Sequence, residues 1–179
     1  WDITVDDSAG RPLAKTPHGA FLDLIAQSIA TRFAPATVMA LLKHPLTRLG
    51  LPVRDVRRAA RFVELAALRT IYLGEGFDGI EASLARAERD TLDGARRERA
   101  VRRLWDADWV AARDLMQRLR KAMAPLMTLA ADAAPQELQA LAIAHRAVAD
   151  ALATPGDDAA ASRLWQDADG EEADRLLAA

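Results

Sequence analysis

The sequence contains no cysteine among its 179 residues. That absence excludes a disulfide framework, a thiolate zinc site, an iron–sulfur cluster and a cysteine nucleophile within this chain. Aromatic residues make up only 5% of the sequence, whereas 51% of the residues are apolar. Leucine, alanine, valine and isoleucine must therefore supply the buried surface, and this composition is typical of close-packed helix bundles.

Long apolar runs are missing as well. No segment approaches the ~20 consecutive apolar residues of a membrane-spanning helix, and the first residues, Trp1 to Ser8, lack the features of a signal peptide. These two absences predict a cytoplasmic protein without a membrane partner. Because residue 1 is not methionine, we expect the chain to be a piece of a longer protein.

Neither sign of charge is in large excess, since 24 lysines and arginines face 26 aspartates and glutamates and the formal net charge is -2. The molecule as a whole is therefore not predicted to attract nucleic acid or acidic lipid, and any basic surface must be local. Arginine supplies nearly all of the cations. It suits planar contacts to phosphate or carboxylate, although a GC-rich genome is the simpler explanation.

Proline, glycine and capping residues divide the first half of the chain into helical segments. Helix starts are predicted at Thr16-Pro17, at Pro35, at Pro52 and at Asp78, which with Glu81 resembles a capping box. The corresponding ends are predicted near Phe33, Pro45, Leu73 and Arg89.

The second half contains longer segments. Helical periodicity runs from Ala95 to about Ala131, with an interruption expected near Asp106 to Asp108 and a kink or stop at Pro125, so one bent helix and two helices both fit. A helix starting at Pro135 and ending at Thr154 is predicted to share one face among Leu138, Leu141, Ala142, His145, Val148 and Leu152. The last stretch, with Leu164, Trp165, Leu176 and Leu177, is expected to break at Gly170.

Together these segments predict an all-α fold. We expect an irregular multi-helix bundle of about six to eight helices, with at most one short N-terminal strand at Trp1 to Val5. Residues 1–15 are predicted to be an extended segment and turn from a neighbouring domain, and residues 16–179 to form a single helical domain.

Residues that could carry catalysis are few. The three histidines, His18, His44 and His145, lie on different segments without a partner at metal-ligand spacing, so structural roles are predicted for them. Asp167, Asp169 and Glu171 form only a fragment of a calcium loop. Phosphate-binding glycine loops and Gly-x-Ser-x-Gly elbows are absent. The sequence therefore predicts no catalytic residue, metal, cofactor or small-molecule substrate in this chain.

Arginines at helical spacing are the main sign of a binding surface. Arg54, Arg57, Arg58 and Arg61 stand at i, i+3, i+4 and i+7, which places their guanidinium groups on one face of the third helix. Such a stripe can follow a phosphate backbone. Because acidic residues such as Asp55 and Glu64 lie nearby, a solvated face or intramolecular salt bridges are the alternative interpretation.

Two further patterns are weaker. Arg96, Arg99 and Arg103 repeat the arginine spacing, but a solvated face again competes with nucleic-acid binding. Trp105 and Trp109 stand at i and i+4, and core packing is the simpler explanation for both than base stacking.

Three short sequence segments in the first fifty residues resemble a known protein family. They are Asp6-Asp-Ser-Ala-Gly-Arg-Pro-Leu-Ala-Lys-Thr-Pro17, Gly19-Ala-Phe-Leu22 and Leu41-Leu-Lys-His-Pro-Leu46. They resemble the middle of the helicase-like region of the AddB family, in its alphaproteobacterial form. Weaker similarity continues through 56–65, 74–79 and 164–172. The resemblance thus spans most of the chain, although only its first part is specific.

The resemblance implies a subunit of a helicase–nuclease that processes double-strand breaks for recombination, partnered by an AddA-like helicase subunit. In that family the divalent metal and the iron–sulfur cluster belong to a C-terminal nuclease domain. This chain lacks the cysteines and the acidic pattern for either group. By analogy with related helicases, the helices after Thr16 would form an inserted helical subdomain with a structural or DNA-path role and no catalytic residues.

Two other functions remain open at this stage. The chain could be a free-standing helical interaction module, with the stretch from Leu164 to Leu177 as the apolar face offered to a partner. It could also bind DNA in its own right through the arginine stripe. DNA binding that weakens steeply with salt would separate the second function from the first.

Overall fold

The computed structural model describes residues 12–69, 74–94, 105–156 and 162–178. In these ranges the chain forms seven α-helices and no strand. The predicted all-α bundle of six to eight helices is therefore confirmed. The strand predicted at Trp1 to Val5 lies outside the described residues.

The helices of the described ranges are numbered in chain order. They are α1 (Pro17–Ala30), α2 (Pro35–Lys43), α3 (Val53–Val63), α4 (Gly76–Leu92), α5 (Asp106–Ala131), α6 (Leu138–Ala153) and α7 (Asp167–Ala178). A single 3₁₀ turn, Leu13–Lys15, precedes α1, and a π-helical turn, Glu64–Leu68, continues α3. None of the helices in these ranges is long and apolar enough to span a membrane.

The longest helix, α5, lies at the centre of the bundle. Its 26 residues extend roughly 39 Å, and it packs against α3, α4 and α6. Leu115, Met116, Leu119 and Met123 of α5 are completely or almost completely buried. A second group forms around α1, which packs against α2, α6 and α7. Both groups share one continuous hydrophobic core.

The helix starts that were predicted from proline positions are correct for the first two helices. Thr16 caps α1, since its Oγ1 accepts a hydrogen bond of 3.1 Å from the N–H of Gly19, and Pro17 occupies the first helical position. Pro35 opens α2, and Pro45 follows its end. The four residues predicted to face inward on α2, Val38, Met39, Leu41 and Leu42, are all buried.

The third helix ends earlier than its hydrophobic pattern suggests. A helix was predicted from Pro52 to about Leu73, but the regular α-helix stops at Val63 and a wider π-helical turn follows. The N–H of Arg69 closes that turn by donating to the carbonyl of Glu64 at 2.9 Å. Residues 70–73 lie outside the described ranges.

The capping box predicted at the start of the fourth helix is wrong. Asp78 and Glu81 were expected to start a helix at Gly79 and end it near Arg89, but α4 begins three residues earlier, at Gly76, and continues to Leu92. Both carboxylates instead bind the guanidinium of Arg120 on α5. A side-chain partner on another helix therefore outweighs the local capping pattern.

Pro125 does not end the fifth helix. The α-helix continues through it to Ala131, and Met123 and Leu126 on either side are buried in the core. The interruption expected near Asp106 is real, since α5 starts there. The choice between one helix and two from Ala95 depends on residues 95–104, which lie outside the described ranges.

Two predictions for the last two helices are wrong. Leu138 was expected on the buried face of α6 but is 82% exposed, whereas Val148 and Leu152 on the same predicted face are fully buried. The break expected at Gly170 is also wrong, because α7 continues through that residue.

Candidate nucleic-acid interface

The third helix has two opposite faces. Val56, Ala59, Ala60 and Val63 are buried against the bundle, where α3 contacts α2 and α5. Because a helix turns by about 100° per residue, the positions between them project away from the core. Those positions hold Arg54, Arg57, Arg58 and Arg61, and all four are exposed. We refer to these four residues as the arginine face.

One member of the arginine face is tied to the core. Arg58 donates from Nη2 to Oδ1 of Asp108 at 2.8 Å, and its guanidinium lies 5.6 Å from the ring centroid of Phe62. The Asp108 side chain is only 4% exposed. Since a buried carboxylate needs a partner, Arg58 has a structural role as well as an exposed surface.

The other three arginines are more weakly held. Among the described residues, Arg54 approaches only its neighbour Asp55, at 3.6 Å, with an 87% exposed side chain. In the same ranges Arg57 and Arg61 form no ion pair. Within the described part of the chain, intramolecular salt bridges therefore account for Arg58 but not for Arg57 or Arg61, for which a solvated face stays the alternative to DNA binding.

Most other arginines of the bundle that lie near acidic residues are paired with them. The pairs include Arg32–Glu75, Arg69–Glu64, Arg86–Asp90, Arg113–Glu88, Arg118–Asp114, Arg120–Asp78, Arg146–Asp174 and Arg175–Glu172. The arginine face differs from these paired arginines, because among the described residues only one of its four guanidinium groups, that of Arg58, has an ion pair shorter than 3 Å. Such a face can meet phosphates without first breaking several internal ion pairs.

An exposed tryptophan has its backbone close to one member of the arginine face. Core packing was predicted for both Trp105 and Trp109, and it holds for Trp109, which is 5% exposed, but is wrong for Trp105, which is 76% exposed. The reason is that Trp105 precedes α5 as its N-cap residue and has extended backbone angles. The i, i+4 relation does not place two residues on one face when the first stands outside the helix.

The same carboxylate connects Trp105 with Arg58. Oδ2 of Asp108 accepts a hydrogen bond of 3.0 Å from the backbone N–H of Trp105, while Oδ1 binds Arg58. One sign in the sequence indicated that Trp105 precedes the helix, namely the helix interruption predicted near Asp106 to Asp108. The second arginine set, Arg96, Arg99 and Arg103, lies outside the described residues.

Structural roles were predicted for all three histidines, and two of them contact neighbouring elements of the bundle. His145 Nε2 lies 3.1 Å from the carbonyl of Leu22, which joins α6 to α1. Burial lowers the pKa of His145, and this hydrogen bond opposes the shift. The ring of His44 stacks on Phe21 at 5.0 Å between centroids. Its pKa is lowered by burial and then by neighbouring His18, with a hydrogen bond to the Pro17 carbonyl opposing both.

His18 is a buried side chain without a hydrogen bond in the described part of the chain. It is 6% exposed, and neither ring nitrogen has a hydrogen-bond partner among those residues, although Nδ1 lies 4.0 Å from Oδ1 of Asp167. The described ranges contain no group of three or more histidine, aspartate or glutamate side chains able to hold a metal ion.

The fold and this surface define a class: an all-helical bundle with an arginine-rich, largely unpaired helix face. No protein-family model, curated protein or solved structure matches the chain. Its function must therefore be proposed from the arginine face and from the resemblance of its N-terminal sequence segments to the AddB family.

Proposed function

We propose that this chain is a non-catalytic helical subdomain of an AddB-like subunit of a DNA double-strand break repair helicase–nuclease, and that its arginine face contacts DNA phosphates. The resemblance of residues 6–46 supports the repair context. The observation that carries the DNA contact is the placement of Arg57 and Arg61, exposed and without an ion pair among the described residues. An AddA-like helicase subunit is the partner that this proposal implies.

The spacing of the arginines suits a backbone contact. Residues at i, i+3, i+4 and i+7 form a row along the helix, so Arg54 and Arg61 are separated by roughly 10 Å of helix rise. That distance covers several phosphates of one DNA strand, which follow one another about every 3.4 Å along the axis. Phosphate contacts of this kind position DNA and do not read its sequence.

Fluorescence anisotropy with a labelled duplex tests the proposal. The 179-residue chain is titrated from about 50 to about 200 mM salt, and Arg57→Glu with Arg61→Glu should reduce the magnitude of the slope of log K against log salt by about 2. Arg58 is left intact because its reversal would place a carboxylate against buried Asp108.

A matched control makes the same change of charge elsewhere. Arg89 and Lys121 are exposed, and neither forms an ion pair in the described part of the chain. Arg89→Glu with Lys121→Glu should leave most of the salt slope in place. Equal losses in both double variants would reduce the effect to net charge and contradict the proposal.

A helical interaction module is the second candidate, and an apolar groove favours it. The groove has a volume of about 1300 Å³ and lies between the end of α1, the end of α5, α6 and α7. Leu138, Ile143 and Leu176 border it and are mostly exposed. Leu164, which was expected on the interaction face, is instead fully buried in the core.

The occupant that fits this groove is the apolar face of a partner helix. Arg146 at its wall is already paired with Asp174, so the groove offers little free charge and selects apolar side chains. Absence of DNA binding by the chain at low salt would remove the DNA role and leave this interaction function as the better proposal.

A further inference from the structure

We infer that Trp105 is a base-stacking platform at the edge of the arginine face, and that the chain therefore prefers DNA with unpaired bases over blunt duplex. This inference rests on the proposed DNA contact and adds the substrate class to it. It is carried by one observation: a largely exposed tryptophan has its backbone N–H bound to the same carboxylate as a guanidinium group of the arginine face.

The exposure of Trp105 is unusual for its residue type. Tryptophan is highly buried on average, because its large ring gains most from leaving water. Here 76% of Trp105 remains accessible while Trp109, one turn away, is buried in the core. The apolar ring therefore stabilises the bundle little and is available to a ligand.

Asp108 fixes the backbone of Trp105 close to Arg58. The two oxygens of one buried carboxylate accept hydrogen bonds from the Trp105 backbone N–H at 3.0 Å and from Arg58 Nη2 at 2.8 Å. The backbone nitrogen of Trp105 and the Arg58 guanidinium are thus within about 8 Å of each other, the sum of two hydrogen bonds and one carboxylate group. The backbone that carries the indole is therefore anchored beside a cation, and the side chain has two rotatable bonds to order when a base stacks on it.

The pairing of an indole with cations matches the chemistry of single-stranded DNA. A base outside the duplex exposes a π-face that stacks on tryptophan, while its phosphates require positive charge. Inside a duplex the bases are stacked on each other and cannot reach the indole. Arg58 and Arg57 are both exposed, and Arg57 has no ion pair among the described residues, so both can bind phosphates of a strand whose base stacks on the indole. The surface therefore suits a strand end or a frayed junction.

The test compares two DNA ligands of equal charge on the full 179-residue chain. Affinities for a single-stranded oligonucleotide and for a blunt duplex with the same number of phosphates are measured by fluorescence anisotropy for the wild type, Trp105→Ala and Trp105→Phe. Trp105→Ala should lose roughly five- to a hundredfold in affinity for the single strand, with little change for the duplex. Trp105→Phe should restore most of that affinity, since phenylalanine keeps an aromatic face.

The dependence on salt distinguishes stacking from phosphate contacts. Because Trp105 carries no charge, Trp105→Ala should leave the slope of log K against log salt unchanged, whereas Arg57→Glu with Arg61→Glu should lower it. Leu92→Ala is the matched control, since Leu92 is another large apolar residue that is 78% exposed. It should behave like the wild type.

Different outcomes overturn different parts of the proposal. Equal affinity of wild type and Trp105→Ala for the single strand, or an equal loss for both ligands, would overturn the stacking role while leaving the arginine contact in place. If the arginine reversals have no effect and Trp105→Ala weakens only the single strand, the proposed phosphate contact fails and the stacking site stands.

Discussion

Asp108 connects two helices next to the arginine face. Its side chain is almost fully buried, and it caps the start of α5 while binding Arg58 of α3. One carboxylate thereby satisfies an unpaired N–H at a helix start and a cation on a second helix. Negative charge in the first turn also interacts favourably with the helix dipole.

Replacing Asp108 should therefore lower stability by more than an ordinary surface change. We expect Asp108→Ala to reduce the free energy of unfolding by about 1–2 kcal/mol, because it removes a helix cap and the partner of Arg58. Urea denaturation at neutral pH measures this difference. Asp106→Ala removes an exposed acid of the same turn and should stay within about 0.5 kcal/mol of the wild type. Equal effects of the two variants would contradict the role of Asp108.

At the scale of elements, Gly170 decides how α7 joins the bundle. A Cβ built on Gly170 would lie 2.8 Å from the backbone carbon of Trp165 and 2.9 Å from the oxygen of Leu164. The absence of a side chain lets α7 pack tightly over its own preceding turn. Oδ1 of Asp167 also accepts a hydrogen bond of 3.0 Å from the N–H of Gly170 and caps the helix.

We expect Gly170→Ala to destabilise the protein even though alanine is the better helix former. Helix propensity favours alanine by about 1 kcal/mol, but overpacking against backbone atoms costs about 1–3 kcal/mol and should outweigh it. Thermal and urea denaturation check the sign. Glu171→Ala, an exposed change in the same turn, serves as control and should have little effect. A rise in stability for Gly170→Ala would show that α7 can shift away from Trp165 freely.

At the scale of the whole molecule, two half-buried histidines make stability depend on pH. His145 connects α6 with α1 and His44 packs on Phe21, and burial lowers the pKa of both. In the unfolded chain each imidazole has a pKa near 6.5. As the pH falls below about 6.5, the unfolded state therefore binds protons that the folded state does not, and stability decreases until the folded-state pKa is reached.

His145→Gln should remove part of this dependence. Glutamine can still donate to the Leu22 carbonyl but does not titrate, so its stability should fall less than that of the wild type between about pH 7.5 and about pH 5.5. Urea denaturation at the two pH values provides the comparison. Identical losses in both proteins would mean that His145 takes up no protons on unfolding.

Local signals placed some elements accurately and misplaced others. Thr16, Pro17 and Pro35 act within a single turn, so their helix starts are seen directly in the sequence. Asp78 and Glu81 carry an equally clear local pattern, yet they bind Arg120, which is distant in sequence. Leu138 follows the helical period of α6 but lies beyond the region that other helices cover. Tertiary contacts decided these cases.

The sequence by itself determined the helical class, the arginine face of α3 and the absence of thiol chemistry, because composition, periodicity and capping act over one or two turns. Only the tertiary structure decided which of those arginines is neutralised, since Arg58 meets Asp108 fifty residues away. It likewise decided that Trp105 lies in solvent and Trp109 in the core. The physical reason is that burial and ion pairing depend on which helices pack together, and neighbouring residues do not encode that arrangement alone.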